Sequence, residues 1–302
     1  MTIRIAMLFI LLSLICASAQ AQPATLNIAV SVAPQKYLAQ QLAGEHATVR
    51  VMIKPGQSPT TWDPSPREMA QFASTDLLFC VGVPFEHIWL PRLQNNFPNL
   101  KVCDPRQQIA LRQMPEHDHH NETHHAQPEP TNQTLDPHIW LDPLLDIQMA
   151  ENMLQALKEL DPAHQQDYQQ RFEQLRHELT QLHLEIEALL LPYQSRSFMV
   201  FHPSWGYFAR RYQLQQMAIE LSGKEPKGAK LAQITQQAQQ NGITAIFIQT
   251  QFSQKAATTI ANQIGAQVIT LDPLAEDLPL MLRTTAQKLS HALEASCPPS
   301  SH

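Results

Sequence analysis

The sequence predicts an α/β protein of two lobes, each a parallel sheet flanked by helices, joined by one long rigid helix. Three observations predict it. Short, continuous apolar runs alternate with amphipathic stretches through residues 26–160. The same alternation returns in residues 192–294. Between them, residues 161–191 carry a single long apolar stripe at helical spacing. Strands that are apolar throughout and alternate with helices belong to parallel sheets covered on both faces.

In the first lobe, "LNIAVSV" reads as a strand and "APQKYLAQQLAG" as a helix stopped by Gly44. "ATVRVMI", "DLLFCVG" and "LKVCD" read as strands, with "PREMAQFAS" and "FEHIWLPRLQ" as the helices between them. Glu86 and His87 fall at the start of the second of these helices, where an acid suits the positive end of the helix dipole. Segment 113–134, "QMPEHDHHNETHHAQPEPTNQT", is polar, proline-bearing and aperiodic, the composition of a mobile loop. "DPLLD", just past His138, reads as a helix start.

The linking stripe is Phe172, Leu175, Leu179, Leu182, Ile186 and Leu189, at spacings of three and four. Pro162 suits its first turn and Pro192 ends it. About 28 residues at ~1.5 Å each reach roughly 40 Å. A coiled-coil dimer is one reading of such a stripe. A single strut across both lobes is preferred, because only about four heptads are available and both flanks are α/β. His164, His177 and His183 on this helix read as solvated, and the chain is expected to be a monomer.

The second lobe repeats the pattern. "SFMVFH", "QQMAIEL", "ITAIFIQT" and "AQVITLD" read as strands, and "PSWGYFARRY", "KLAQITQQAQQNG" and "KAATTIANQIG" as helices. Gly242 and Gly265 sit where helices stop. Residues 295–302 read as a disordered tail.

Bulk properties narrow the function. The formal net charge of −6 over 302 residues argues against a nucleic-acid partner, which needs a basic face. Residues 1–21 have the layout of a secretory signal: one arginine, an apolar run from Ile5 to Ile15, then small residues. That run is too short for a stable membrane anchor. Cys16 follows Ile15, where lipid attachment wants a small residue, so a soluble periplasmic protein is favoured over a lipid-anchored one. Cys80, Cys103 and Cys297 lack zinc-knuckle or CxxC spacing. Cys80 and Cys103, both in strands, are either buried thiols or a disulfide.

Open α/β sheets bind ligands beyond the carboxyl ends of their strands. The metal-capable residues placed there are His138 in "DPHIWLDP", His202 in "VFHPSWGY" and Asp272 in "TLDPLAED". Thr60 or Asp63 joins them from "VMIKPGQSPTTWDP". Two come from each lobe, which suits a site in the cleft between lobes. No HExxH or comparable pairing supplies a general base, so no enzyme is expected. His117, His119, His120, His124 and His125 crowd the polar loop, where nothing orients them. They read as low-affinity metal collectors that raise the local concentration near the cleft.

Several motifs carry a resemblance that spans about residues 26–294: "DPHIWLDP", "FHPSWGYFARRYQL", "GKEP", "TLDPLA", the long helix and the His-rich loop. With them the chain resembles the metal-binding, solute-binding proteins of bacterial zinc and manganese ABC importers, the zinc-importer type in particular. The resemblance implies one divalent cation gripped between the lobes, with His138, His202 and Asp272 as its second, third and fourth ligands. It also implies delivery to an integral-membrane permease with its ATPase. Histidine at 202, where manganese carriers place glutamate, favours Zn²⁺ over Mn²⁺.

The departure is Thr60, which stands where the family places its first histidine; Trp62, Asp63 and Pro64 keep the frame. Water, the second Asp272 oxygen, a loop histidine or Asp63 are the alternatives for the missing donor. A manganese carrier of the same type, a zinc hydrolase and a periplasmic zinc buffer are the rival functions.

Overall fold

The computed structural model describes residues 25–54, 56–114, 135–220, 224–252 and 254–295. The signal segment with Cys16, the five clustered histidines, Cys297 and nearly all of the expected tail lie outside the described residues.

The first lobe is built from β1 (Leu26–Val30), α1 (Ala33–Ala43), β2 (Ala47–Val51), α2 (Pro66–Ala70), β3 (Leu77–Phe79), α3 (Pro84–Asn96) and β4 (Lys101–Cys103). Its four strands are parallel in the order β2-β1-β3-β4. Proline opens each of the three helices, where its missing N–H is no loss. Ser65 and Glu68 close a reciprocal cap on α2: Ser65 Oγ accepts the Glu68 N–H at 3.3 Å, and Glu68 Oε2 accepts the Ser65 N–H at 2.9 Å. Glu86, buried in the first turn of α3, instead accepts the N–H groups of Val81 (2.8 Å) and Gly82 (2.6 Å) in the segment leading into the helix. Burial pushes its carboxyl above the usual range.

Two helices follow. α4 (Pro143–Leu160) starts at "DPLLD" as expected, with Asp142 accepting the Leu144 N–H at 3.0 Å. α5 (Gln165–Leu190) is the strut; it begins after a separate 3₁₀ turn over Pro162–His164 and not at the proline itself. Its stripe is buried from Phe172 to Ile186, but Leu189 is exposed and Leu190 takes its place, one helical step further on.

The solvated reading holds for His177 and fails for two other histidines. His164 Nδ1 lies 2.6 Å from Asp161, and its ring stacks on His46 at 3.9 Å. His183 is half-buried against Tyr212.

The second lobe comprises β5 (Ser197–Val200), α6 (Gly206–Arg211), β6 (Gln215–Ala218), α7 (Ala229–Gln240), β7 (Ala245–Ile248), α8 (Gln254–Ile264), β8 (Gln267–Thr270) and α9 (Leu278–Ala295). Its strands are parallel in the matching order β6-β5-β7-β8. Alternate residues divide between its faces. Phe198, Val200 and Phe247 belong to a core continuous with the first lobe, the α5 stripe and α9. Met199, Ile246 and Ile248 face a second cluster with Ile234 of α7 and Ile260 of α8.

The lobes are also tied by polar contacts. The Trp140 indole N–H donates to Pro273 O at 2.8 Å, the Tyr207 hydroxyl to Asp136 O at 2.9 Å, and Arg211 Nε to both Asp142 oxygens at 2.9 Å. At Gly206 the tip of the Arg112 guanidinium occupies the space a Cβ would need, so a side chain there would have to push Arg112 aside. Cys80 and Cys103 sit at the β3–β4 edge as free thiols, not a disulfide.

Candidate metal centre

His138 leaves the turn Asp136–Pro137–His138, and Asp136 is fully buried beneath it. Asp136 Oδ1 accepts the His138 backbone N–H at 3.0 Å and lies 2.7 Å from Nδ1 of the ring. The Arg112 guanidinium approaches the other carboxylate oxygen at 3.7 Å. Burial pushes the His138 imidazole below its ordinary value, while its bond to Asp136 pulls the other way. A carboxylate can only accept, so the ring proton sits on Nδ1 and the lone pair on Nε2.

His202 stands two residues past the end of β5 and is held in the same manner. Its Nδ1 lies 3.0 and 3.1 Å from the two oxygens of Glu220, itself two residues past β6 and 6 % exposed. Phe252 stacks on the ring, centroids 5.1 Å apart.

The two imidazoles meet edge-on, centroids 5.4 Å apart, one from each lobe. They line a cavity of about 110 Å³ together with Thr60, Pro84, Trp140, Gln249, Phe252 and Leu274. A carboxylate on Nδ1 that fixes the tautomer and raises the basicity of Nε2 is the usual support of a metal-ligating histidine. Two borderline-soft nitrogen donors of this kind match Zn²⁺.

The other sequence candidates are placed differently. Thr60 lines the cavity. Asp63 is exposed and outside its lining. Asp272 is half-buried and closes a turn by accepting the Leu274 N–H at 3.0 Å; the residues that follow it, Pro273 and Leu274, line the cavity. Among the described residues no group of three His, Cys, Asp or Glu side chains is arranged to hold a metal; the paired imidazoles are what the fold assembles.

Sequence reasoning missed both supporting carboxylates. Asp136 had a signal, since an acid two residues before a candidate ligand is within reach of its ring. Glu220 had a weaker one, a lone acid closing the apolar run "MAIEL" at the carboxyl end of a strand.

Two parallel-sheet lobes on a helical strut, with one carboxylate-held imidazole from each facing the other, define a two-lobed binding protein. The chain belongs to the family described as zinc-uptake complex component A, periplasmic (ZnuA), whose model matches residues 28–292. A crystal structure of ZnuA is 36 % identical, with a TM-score of 0.82, covering 89 % of this chain and 99 % of that one. A zinc-bound ZnuA deletion mutant matches at the same identity and TM-score, covering 91 % and 100 %. The high-affinity zinc uptake system protein ZnuA of Bacillus subtilis is 25 % identical over 261 residues, 85 % of this chain and 81 % of that protein. The zinc-binding lipoprotein AdcA of Streptococcus pneumoniae is 27 % identical over 268 residues, 86 % of this chain and 52 % of AdcA. The chain thus spans about half the length of the AdcA relatives it matches.

Proposed function

We propose that this chain is a periplasmic binding protein that captures Zn²⁺ between its lobes and delivers it to an ABC-type membrane permease with its ATPase. It performs no covalent chemistry and acts as a monomer. The observation that carries the reading is the pair of opposed imidazoles, His138 and His202, each with Nδ1 on a buried carboxylate and Nε2 free for a cation. Asp272 joins them as the acid ligand, from a turn whose next two residues already line the cavity. Thr60 replaces an imidazole on the first-lobe side, with Asp63 beside it in sequence as a weaker alternative.

The histidine crowd at 117, 119, 120, 124 and 125 assists as a low-affinity collector. Its described flanks support that role: Met114 lines the cavity on one side of the segment, Pro137 and His138 on the other, and Gln113 bridges to Leu135. A tethered donor set raises the local metal concentration without any new rigid contact.

Calorimetric zinc titration tests the assignment. His202→Ala is expected to lower affinity far more than deletion of residues 115–127. Equal losses would overturn it.

A further inference from the structure

The second sheet changes the direction of its connections between β5 and β7, and ligands of open α/β sheets bind at such switch points. Two side chains stand at the carboxyl ends of these strands: His202, two residues past β5, and Gln249, the first residue past β7. Gln249 is 3 % exposed and lines the cavity with both imidazoles. Its Nε2 donates to Ser204 Oγ at 2.7 Å and to His202 O at 3.3 Å, but its buried side-chain oxygen has no hydrogen-bond partner among the described residues.

The first lobe offers a contrast, a buried glutamine in the first turn of α1 whose amide is fully used. Gln35, fully buried where β1 meets β3, uses both ends of its amide. Its oxygen accepts the N–H groups of Ser31 (3.2 Å) and Val32 (3.3 Å), and its Nε2 donates to Cys80 O at 3.1 Å. A buried amide oxygen is rarely left without a donor.

We propose that Gln249 is a positioning residue of the cation site. Its amide nitrogen fixes the His202 backbone. Its oxygen accepts a hydrogen bond from the water that completes the coordination of a cation held by His138 and His202. This rests on the zinc-binding reading. It deepens it in one respect: the ion is recognised as an aquated species, through a neutral oxygen acceptor contributed by the second lobe. A cation with two imidazoles and one carboxylate keeps a position for water in a four-donor sphere, and a cavity of about 110 Å³ has room for it.

The test uses the whole mature protein with Zn²⁺ or Co²⁺ alone, and the variants Gln249→Leu and Gln249→Glu. Gln249→Leu is expected to lower zinc affinity about 10–100-fold and to change the visible d–d spectrum of the cobalt form, which reports the coordination sphere. Gln249→Glu keeps an oxygen acceptor but not the amide donor, and is expected to restore most of the affinity and the wild-type cobalt spectrum. The proposal is overturned by a Gln249→Leu protein that binds zinc as tightly as wild type. It is overturned equally by one that binds weakly with an unchanged cobalt spectrum, since that is the signature of a merely structural residue. Should Gln249→Leu misfold, the Gln249→Glu comparison alone decides, through recovery or loss of the wild-type spectrum. Failure of the zinc-binding reading would look different: the wild-type protein itself would take up no zinc, or His202→Ala would take it up undiminished.

Discussion

At the scale of single residues, the proposed site is two imidazoles, each oriented by a buried carboxylate. Asp136 and Glu220 each place a proton on Nδ1 and so leave Nε2 of His138 and His202 for the cation. Asp136→Asn and Glu220→Gln keep the shape but lose the charge that makes the ring a better donor. Each is expected to weaken zinc binding about 10–100-fold, read by competition with a chromophoric chelator, without removing any ligand. Thr60 gives the converse prediction. It lines the cavity from the first lobe with only a hydroxyl to offer, so Thr60→His adds a neutral nitrogen donor. That variant is expected to tighten zinc binding by about tenfold or more in the same assay; an unchanged affinity would show that position 60 does not reach the ion. The imidazoles were legible in the sequence because they stand at strand ends and in recognisable motifs. Glu220 was not, because only the fold brings it, at one strand end, beside His202 at another, 18 residues away.

At the scale of elements, the alternation of apolar runs and amphipathic stretches was enough to read the strands, most of the helices and the strut. Two helices escaped in whole or part. α4 was visible only as a start, and α9 was not read, although its buried Leu278, Leu282, Ala286, Leu289 and Leu293 repeat at three and four residues. The strut's end slipped for a physical reason: Leu189 and Leu190 both fit an apolar stripe, and only tertiary packing decides which one turns inward. α4 carries an unusual load. Asp146 is fully buried, one turn past Asp142, and both its carboxylate oxygens lack partners among the described residues. Burial, then the neighbouring Asp142, pushes its carboxyl well above the ordinary value. A raised folded-state pKa means that the group's contribution to stability is fully present below the unfolded value and is lost as pH rises through the folded one. Asp146→Asn removes that loss. It is expected to raise stability by about 1 kcal/mol at pH 7–8, with the gain shrinking toward zero as pH falls to about 4. Chemical denaturation at several pH values measures it, and a gain independent of pH would contradict the assignment.

At the scale of the whole molecule, the decisive feature is a core that runs through both lobes, beside the smaller cluster on the far face of the second sheet. Lobe one, the α5 stripe, the inner face of the second sheet and α9 share a single continuous cluster. Across it run the Trp140–Pro273, Tyr207–Asp136 and Arg211–Asp142 bonds. A wide hinge would have to break all three and expose the strut's aromatic and leucine side chains to water. Removing the Phe172 ring alone, by Phe172→Ala, is expected to cost about 3–5 kcal/mol and to lower the unfolding midpoint of the protein as one unit. Zinc therefore has little rearrangement available to it. It is expected to act by mass action on a site whose two imidazoles already face each other, adding about 2.7 kcal/mol at one hundred times its dissociation constant, while solution scattering changes the radius of gyration by less than about 1 Å. Calorimetric unfolding should remain a single transition with and without zinc, moving only in temperature. Two transitions in the metal-free protein, or a compaction of several ångströms on adding zinc, would mean that the lobes move as independent bodies and that the shared core does not govern how the ion is taken up and released.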